Sequence, residues 1–542
     1  MQRILTLCLV FSVAFGLSAQ TRFIDEMFDV GAPISDTTYA TNISILTGTP
    51  VPLDLKMDIY QPEGEGANDV ERPIVCLFHT GNFLPQYINR GAYGSRVDSA
   101  NVELIRRLVK RGFVAASVSY RQGWLPTATD QDLRTGSLLQ AAFRGSQDAH
   151  ALARYLRMTV DQLDNPFNID TSRIVFAGMG TGGYVVSTHA FLDRNEEIGL
   201  NPQFYDINGD TLIQGDTLGN PQGTWPALLN IPNHLGYSSD VAMTVNIGGA
   251  IGDPIWIEGA DNEPLYVAFH SFTDPFAPFY EGLVGVPVGG GNSLPVIDGA
   301  RGGNGTLEVI EMQGGQPELD PANELMLPAI FDPLSSVLNQ INAVYKMQTV
   351  VSPVPNDVDD PFQLSRDNLW PFVYPRVIGA PYNWFDEATM RFFVDIINQQ
   401  TMAGLDPEVI IAGEELTNPN WDDPVEAQRS LDTMVAYLIP RMWYGMNLAD
   451  VISSTEDLID AQSIGLEVYP NPVDEFLRVE VAEGYAIREI SLIDMLGRVT
   501  GTWTGIDQPD FRINKQADWD RGYYNLQIRL DEGIVTKRVL IQ

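Results

Sequence analysis

Ile174-Val175-Phe176-Ala177-Gly178-Met179-Gly180-Thr181-Gly182-Gly183 is an apolar run that breaks into a glycine-rich turn. The first half has the continuous apolar character of a strand buried on both faces. Tyr184-Val185-Val186-Ser187-Thr188 follows directly and reads as the opening of a helix. A strand that turns sharply into a helix lifts the residue at the turn's apex above the edge of its sheet. Gly178 and Gly182 frame this turn, which puts Gly180 at the apex. Glycine carries no side chain, so that apex offers neither an attacking oxygen nor a proton.

Outward from this turn, strand-like runs at 73–79, 113–120 and 173–178 alternate with helix-like runs at 102–111 and 138–158. Alternation at this spacing predicts an α/β domain, a mostly parallel sheet with helices on both faces. The segments 193–239 and 285–355 are rich in Gly, Pro, Asn and Asp, and are expected as insertions or a lid over the sheet's carboxyl edge. From 466 onward the texture changes to short alternating runs at 476–481, 487–493, 523–530 and 534–541, which predicts a small all-β sandwich. The expected organisation is a signal peptide over 1–19, the α/β domain over 20–450, a linker over 451–465 and the β module over 466–542. The signal is expected from Arg3, the apolar run that follows it and the small residues Ser18-Ala19; that run is too short to span a bilayer.

The chain of 542 residues carries 70 acidic and 33 basic residues, a formal net charge of −37. That balance repels nucleic acid and anionic membrane surfaces. Cys8 lies inside the expected signal, which leaves Cys76 without a disulfide partner, in the apolar run Ile74-Val75-Cys76-Leu77-Phe78.

Three further segments, with the glycine turn, carry a family resemblance. Asp58-Ile59-Tyr60-Gln61-Pro62 is similar to a strand end found early in carboxylesterase-like proteins. His79-Thr80-Gly81-Asn82-Phe83 resembles their HGGxF oxyanion loop, with Thr80 in place of the first glycine. Leu265 to His270, followed by Ser271-Phe272-Thr273-Asp274-Pro275, resembles the strand and loop that deliver the triad acid. Together these segments resemble the carboxylesterase and lipase-like α/β-hydrolases over roughly residues 50–320. The resemblance implies an α/β-hydrolase fold, with Gly180 at the degenerate nucleophile position of G-x-S-x-G. It implies Asp274 as the retained acid, and His79, Thr80, Gly81, Asn82 and Thr181 around the oxyanion pocket. In this family the catalytic histidine follows the acid in the chain. The five histidines are His79, His150, His189, His234 and His270, and none follows Asp274. Glu311-Met312-Gln313-Gly314-Gly315-Gln316-Pro317 resembles the loop that would carry it, which makes Gln316 the expected replacement. In subtilisin, loss of the nucleophile or the histidine costs about a million-fold in turnover. Thr181 as a substitute nucleophile would put Met179 where a small residue is required, so it is expected as a helix-start residue; Ser187 lies further into the helix.

Asp206-Ile207-Asn208-Gly209-Asp210 sets oxygen ligands at alternate positions, as calcium loops do, although the bidentate glutamate of an EF-hand is missing. A polar turn is the alternative for Asp206, Asn208 and Asp210, and no other cofactor is expected. No histidine pair has the H-E-x-x-H spacing of a zinc site.

Tyr469-Pro470-Asn471-Pro472-Val473, Gly522-Tyr523-Tyr524-Asn525-Leu526 and Thr536-Lys537-Arg538-Val539-Leu540-Ile541-Gln542 resemble the type A C-terminal sorting domain of the type IX secretion system, as does 493–499 between them. That resemblance implies the secretion machinery as partner of residues 466–542, and a protein released or held at the cell surface. The expected function is therefore a secreted pseudo-esterase that acts by binding an unidentified ligand or surface partner. Two alternatives stay open: an active carboxylesterase-type hydrolase with a rearranged site, using for example His234 and a Ser or Thr nucleophile, or a structural, adhesive surface protein.

Overall fold

A computed structural model describes residues 21–542, apart from 90, 260–262, 289–291, 325–326, 332–344, 403, 454–460, 462–463, 483, 495–498, 517–518, 520 and 531–532. The expected signal peptide and part of the expected linker therefore lie outside the described residues. The chain forms two compact units, Met1–Leu448 and Ala449–Gln542.

The first unit is built on an eight-stranded sheet. Its strands are β1 (Ile34–Ser44), β2 (Val51–Tyr60), β3 (Arg72–Phe78), β4 (Val114–Val118), β5 (Ile169–Met179), β6 (Met243–Ile247), β7 (Leu265–Ser271) and β8 (Leu369–Phe372). They lie in the order β8-β7-β6-β5-β3-β4-β2-β1. β2 runs antiparallel to both its neighbours, and every pairing from β4 to β8 is parallel. This is the α/β-hydrolase arrangement. All of β3, β4 and β6 is buried, as expected of strands covered by helices on both faces.

The helices that matter for the site are α1 (Ser99–Val109), α2 (Gln131–Gln162), α3 (Thr181–Phe191), α4 (Gly303–Met312), α5 (Glu387–Thr401), α6 (Pro407–Thr417) and α7 (Pro424–Gly445). α1 buries Ala100, Leu104, Ile105, Leu108 and Val109, the spacing of a single apolar stripe. α2 starts earlier than its apolar core suggests, because the Asp130 carboxylate accepts the Leu133 N–H at 2.9 Å and caps a polar first turn. It is anchored below by a fully buried ion pair, Arg121 Nε to Asp148 Oδ1 at 2.8 Å. Burial raises the Asp148 pKa, against the opposing pull of Arg121. Removing either partner would strand a buried charge, which costs about 3–5 kcal/mol.

The insertions are structured. Residues 281–288 and 292–301 form an antiparallel hairpin, and 193–239 contains short helical turns at Asn195–Gly199, Pro202–Phe204 and Gly215–Leu218. Cys76 is fully buried on β3, and desolvation pushes its thiol pKa up.

The second unit contains β9 (Glu467–Tyr469), β10 (Phe476–Glu480), β11 (Ile487–Asp494), β12 (Val499–Gln508), β13 (Asp510–Asn514), β14 (Gly522–Leu530) and β15 (Gly533–Ile541). They form antiparallel sheets ordered β9-β10-β13 and β12-β11-β14-β15. Along β14 every second side chain is buried, Tyr524, Leu526, Ile528 and Leu530. These join Leu477, Val479 and Ile513 of the other sheet in one apolar cluster. No helix among the described residues is long and apolar enough to cross a membrane.

Candidate active-site cavity

β5 ends at Met179, in the middle of the sheet, and α3 begins two residues later. Gly180 makes the turn at φ 51° and ψ −115°, a region that side-chain-bearing residues enter only under strain. Its N–H donates to the Ile247 carbonyl of β6 at 2.8 Å, which fixes the apex at the carboxyl edge of the sheet. The flanking glycines have a different task. A Cβ on Gly178 would overlap the Gly182 carbonyl, and a Cβ on Gly182 would overlap the Phe78 carbonyl of β3. The glycines let α3 press directly on the strands. The turn is thus a tight strand–turn–helix junction with no side chain at its apex.

The space beside that apex is filled from another segment. A Cβ built on Gly180 would overlap the Thr80 hydroxyl and stand 3.1 Å from Thr80 Cβ. Thr80 occupies the position where the resembling families carry a glycine. The two departures from the family pattern therefore meet in space, though a hundred residues separate them in sequence.

The rest of the 79–83 segment follows β3 as a strained loop, with φ 125° at Gly81, 55° at Asn82 and 53° at Phe83. The Trp124 indole donates to the Asn82 carbonyl at 2.7 Å and holds the loop. His79 turns away from the cavity. Its Nδ1 lies 2.5 Å from the Thr80 carbonyl, which makes that nitrogen the protonated one, and its ring stacks on Tyr120 at 4.9 Å. Burial lowers its pKa to about 4. The Tyr120 hydroxyl donates to the His79 carbonyl at 2.8 Å, so at 3.0 Å Thr181 Oγ1 must donate to Tyr120. The Thr181 proton is thereby committed. Its backbone N–H, in the first turn of α3, has no intrahelical acceptor.

Asp274 sits on the loop after β7, 5 % exposed. Its Oδ1 accepts the N–H groups of Phe276 at 2.8 Å and Ala277 at 3.2 Å. Desolvation raises its pKa to about 8, against those two hydrogen bonds. The His270 ring stands 3.8 Å away, Nε2 to Oδ2, a contact that motif spacing did not predict. That ring is already engaged on both sides: Nδ1 accepts the Gly303 N–H at 3.1 Å and Nε2 faces the Ala277 carbonyl at 3.4 Å. Desolvation lowers its pKa to about 4.

Gln316 is elsewhere. Its carboxamide clamps the backbone of Tyr266, with Oε1 accepting the Tyr266 N–H and Nε2 donating to the Tyr266 carbonyl at 3.0 Å. Tyr266 lies near the start of β7, so Gln316 faces the amino end of that strand while Asp274 follows its carboxyl end. It does not line the cavity described below. His234 is also distant, with Nε2 on the Tyr39 carbonyl at 2.7 Å, and His150 and His189 pack on each other at 4.2 Å. In the 206–210 turn the Asp206 carboxylate accepts the N–H groups of Asn208 at 2.8 Å and Asp210 at 2.9 Å. The loop closes on itself, and among the described residues no group of three or more His, Cys, Asp or Glu is placed to hold a metal.

Thr80, Gly81, Asn82, Gly180, Thr181 and Asp274 line one cavity of about 510 Å³. Its walls come from Leu138 and Phe143 of α2, from Phe204 and Ile213 of the first insertion, and from Val284 and Ile297 of the hairpin. α6 adds Ile410 and Glu414, and Tyr382 comes from the segment before α5. Glu414 and Tyr382 belong to a stretch without a recognisable motif, and nothing in its sequence marks them. None of the five histidines, all among the described residues, lines this cavity.

Residues 467–542 match the family described as "Secretion system C-terminal sorting domain". No curated protein matches the chain. Among solved structures, Thermogutta terrifontis esterase 2 phosphorylated by paraoxon is similar at 16 % identity, over 48 % of this chain and 76 % of that one, with a TM-score of 0.26. The apo form of the same esterase gives 16 %, 45 %, 73 % and 0.25, and the butyrate-bound esterase gives 17 %, 42 %, 70 % and 0.24. The sorting domain marks the chain for secretion or the cell surface through the type IX machinery.

Proposed function

We propose that this protein is an exported α/β-hydrolase-fold protein that has given up ester hydrolysis and acts by binding a ligand in the elbow cavity. The observation that carries the proposal is the juxtaposition of Gly180 and Thr80: the apex has no side chain, and Thr80 stands where one would go. A hydrolase of this type needs a nucleophile, a base in contact with it and an acid behind the base. Asp274 is in the acid position. The cavity is lined by neither a histidine nor an elbow side chain. Residual rate from oxyanion-type N–H donors alone would be small.

A rearranged hydrolase would need a histidine between Asp274 and a hydroxyl. His270 is near Asp274, but its two ring nitrogens are directed at Gly303 and Ala277. Thr181 has committed its proton to Tyr120. A cavity of about 510 Å³ with mostly apolar walls and a few convergent polar groups favours a binding role over a purely adhesive one. The domain boundaries that go with this proposal are those read from the sequence, 20–450 for the hydrolase-like domain and 466–542 for the sorting domain. The test is hydrolysis of short and medium acyl esters by the exported protein, before and after dialysis. Absence of turnover supports binding; turnover that tracks the protein through purification overturns it.

A further inference from the structure

The cavity is mainly apolar, and its charge-bearing groups are of one sign. Around its aromatic and aliphatic lining, the described residues contribute two carboxyl groups, Asp274 and Glu414, and no Lys, Arg or His. A carboxylate or phosphate ligand would meet two acid groups and no cation to pair with its charge.

Asp274 is the group best placed to act on a ligand. The hydrogen bonds from Phe276 and Ala277 both fall on Oδ1 and lock the carboxyl plane. Oδ2 makes no hydrogen bond to any described residue, and His270 Nε2, at 3.8 Å, is turned to the Ala277 carbonyl. In an α/β-hydrolase the acid's outer oxygen receives the N–H of the histidine that this chain lacks. What is left is an outer oxygen facing an apolar cavity, on a residue about 95 % buried, with no hydrogen-bond partner among the described residues.

Resting on the binding role proposed above, we infer that the cavity takes an apolar amine, with its protonated nitrogen on Asp274 Oδ2 and its hydrocarbon or aromatic body against the α2 and hairpin walls. The nitrogen supplies the donor that the histidine would have supplied. The titratable groups facing Asp274 are His270 from β7, Tyr184 from α3 and Tyr382. Burial lowers the first and raises the two tyrosines, so all three stay neutral around pH 7. Burial also makes the free Asp274 hold its proton, with a pKa of about 8. An ammonium ligand therefore displaces that proton: the ammonium and the protonated carboxyl give an ammonium–carboxylate pair and one proton, which goes to the buffer. A neutral alcohol of the same body displaces none.

The probes are hexylamine, hexanol and hexanoate, titrated calorimetrically into the wild-type protein at pH 7 in two buffers of different ionisation enthalpy. The expected order is hexylamine tighter than hexanol by about ten-fold or more, and hexanoate weakest. Amine binding should release a large fraction of one proton and alcohol binding none. Asp274→Asn should remove the amine preference and the proton release, and an unchanged cooperative thermal transition shows that the variant is folded. Hexanoate binding as tightly as hexylamine overturns the inference, with or without a folded variant. So does an amine preference that survives Asp274→Asn and disappears in Glu414→Gln. Ester turnover in the same preparation would sink the binding role, whereas the amine–carboxylate order is read independently of it.

Discussion

The Gly180 turn and the Asp274 loop face the same cavity and differ in what each one keeps. At the elbow the backbone is intact and the side chain is gone: Gly180 holds φ 51°, pinned to Ile247, with glycines packed beneath it. At the Asp274 loop the carboxyl is present, with two backbone hydrogen bonds on Oδ1 and no donor to Oδ2 among the described residues. The difference separates what the fold demands from what the chemistry demands. Helix α3 cannot sit on the sheet without the close glycine contacts, so the turn persists whatever the apex does. The acid loop persists because its carboxylate caps the backbone, irrespective of any proton relay.

The largest effect should follow from breaking the part the fold demands. Gly182→Ala forces a methyl into the Phe78 carbonyl and should cost about 3 kcal/mol or more, enough to lose the cooperative thermal transition or lower it by many degrees. A variant as stable as wild type would mean that α3 is not packed as tightly as described.

Next comes the pair at the apex. Gly180→Ser alone should destabilise by about 1–3 kcal/mol, from overlap with Thr80 and from the positive φ. Thr80→Gly combined with Gly180→Ser should recover part of that loss, a double-mutant coupling of about 1 kcal/mol in denaturant melts. Strict additivity would show that the two side chains do not compete for one space. Neither variant should hydrolyse esters, since a serine there still has no histidine.

Asp274 sharpens the other side of the comparison. Its pKa lies near 8 in the fold and near 4 in an unfolded chain. Between those values the native state holds a proton that the unfolded state has lost, so stability falls as pH rises through the window. Asp274→Asn keeps an oxygen for the Phe276 and Ala277 N–H groups and removes the titration. Its stability relative to wild type should improve from pH 4 to pH 8 by roughly 2 kcal/mol, after discounting for relaxation. A flat difference across that range would mean that Asp274 is charged and solvated at neutral pH.

The smallest effect concerns the 206–210 turn. Millimolar calcium should leave the melting temperature within about 1 °C, and Asp206→Ala should cost about 0.5–1 kcal/mol, the worth of a local cap. A calcium-dependent rise of several degrees would restore the metal-loop assignment.

The sequence made the elbow legible because its glycines are contiguous and their spacing has one structural meaning. The turn after β5 and the loop after β7 are legible in the same way, from short local patterns that the backbone enforces. The sorting domain was legible for a different reason, several matching segments in order. The Thr80–Gly180 contact was not legible, although Thr80 was visible as a departure, because the meeting of β3's loop with β5's turn is tertiary. Gln316 is the clearest difference. Its segment resembles a histidine loop, but its amide satisfies the Tyr266 backbone near the start of β7, at the strand end away from Asp274. Glu414 and Tyr382 reach the cavity from a motif-free stretch, and local pattern carries no information about which wall such a stretch covers.

The central claim is that the elbow cavity has no working nucleophile, and the most direct measurement is the intact mass of the exported wild-type protein after exposure to a fluorophosphonate. An unchanged mass, alongside stoichiometric labelling of an active serine esterase control, is the predicted result. A single phosphonyl adduct mapped to a residue of the cavity would contradict the account and would name the nucleophile.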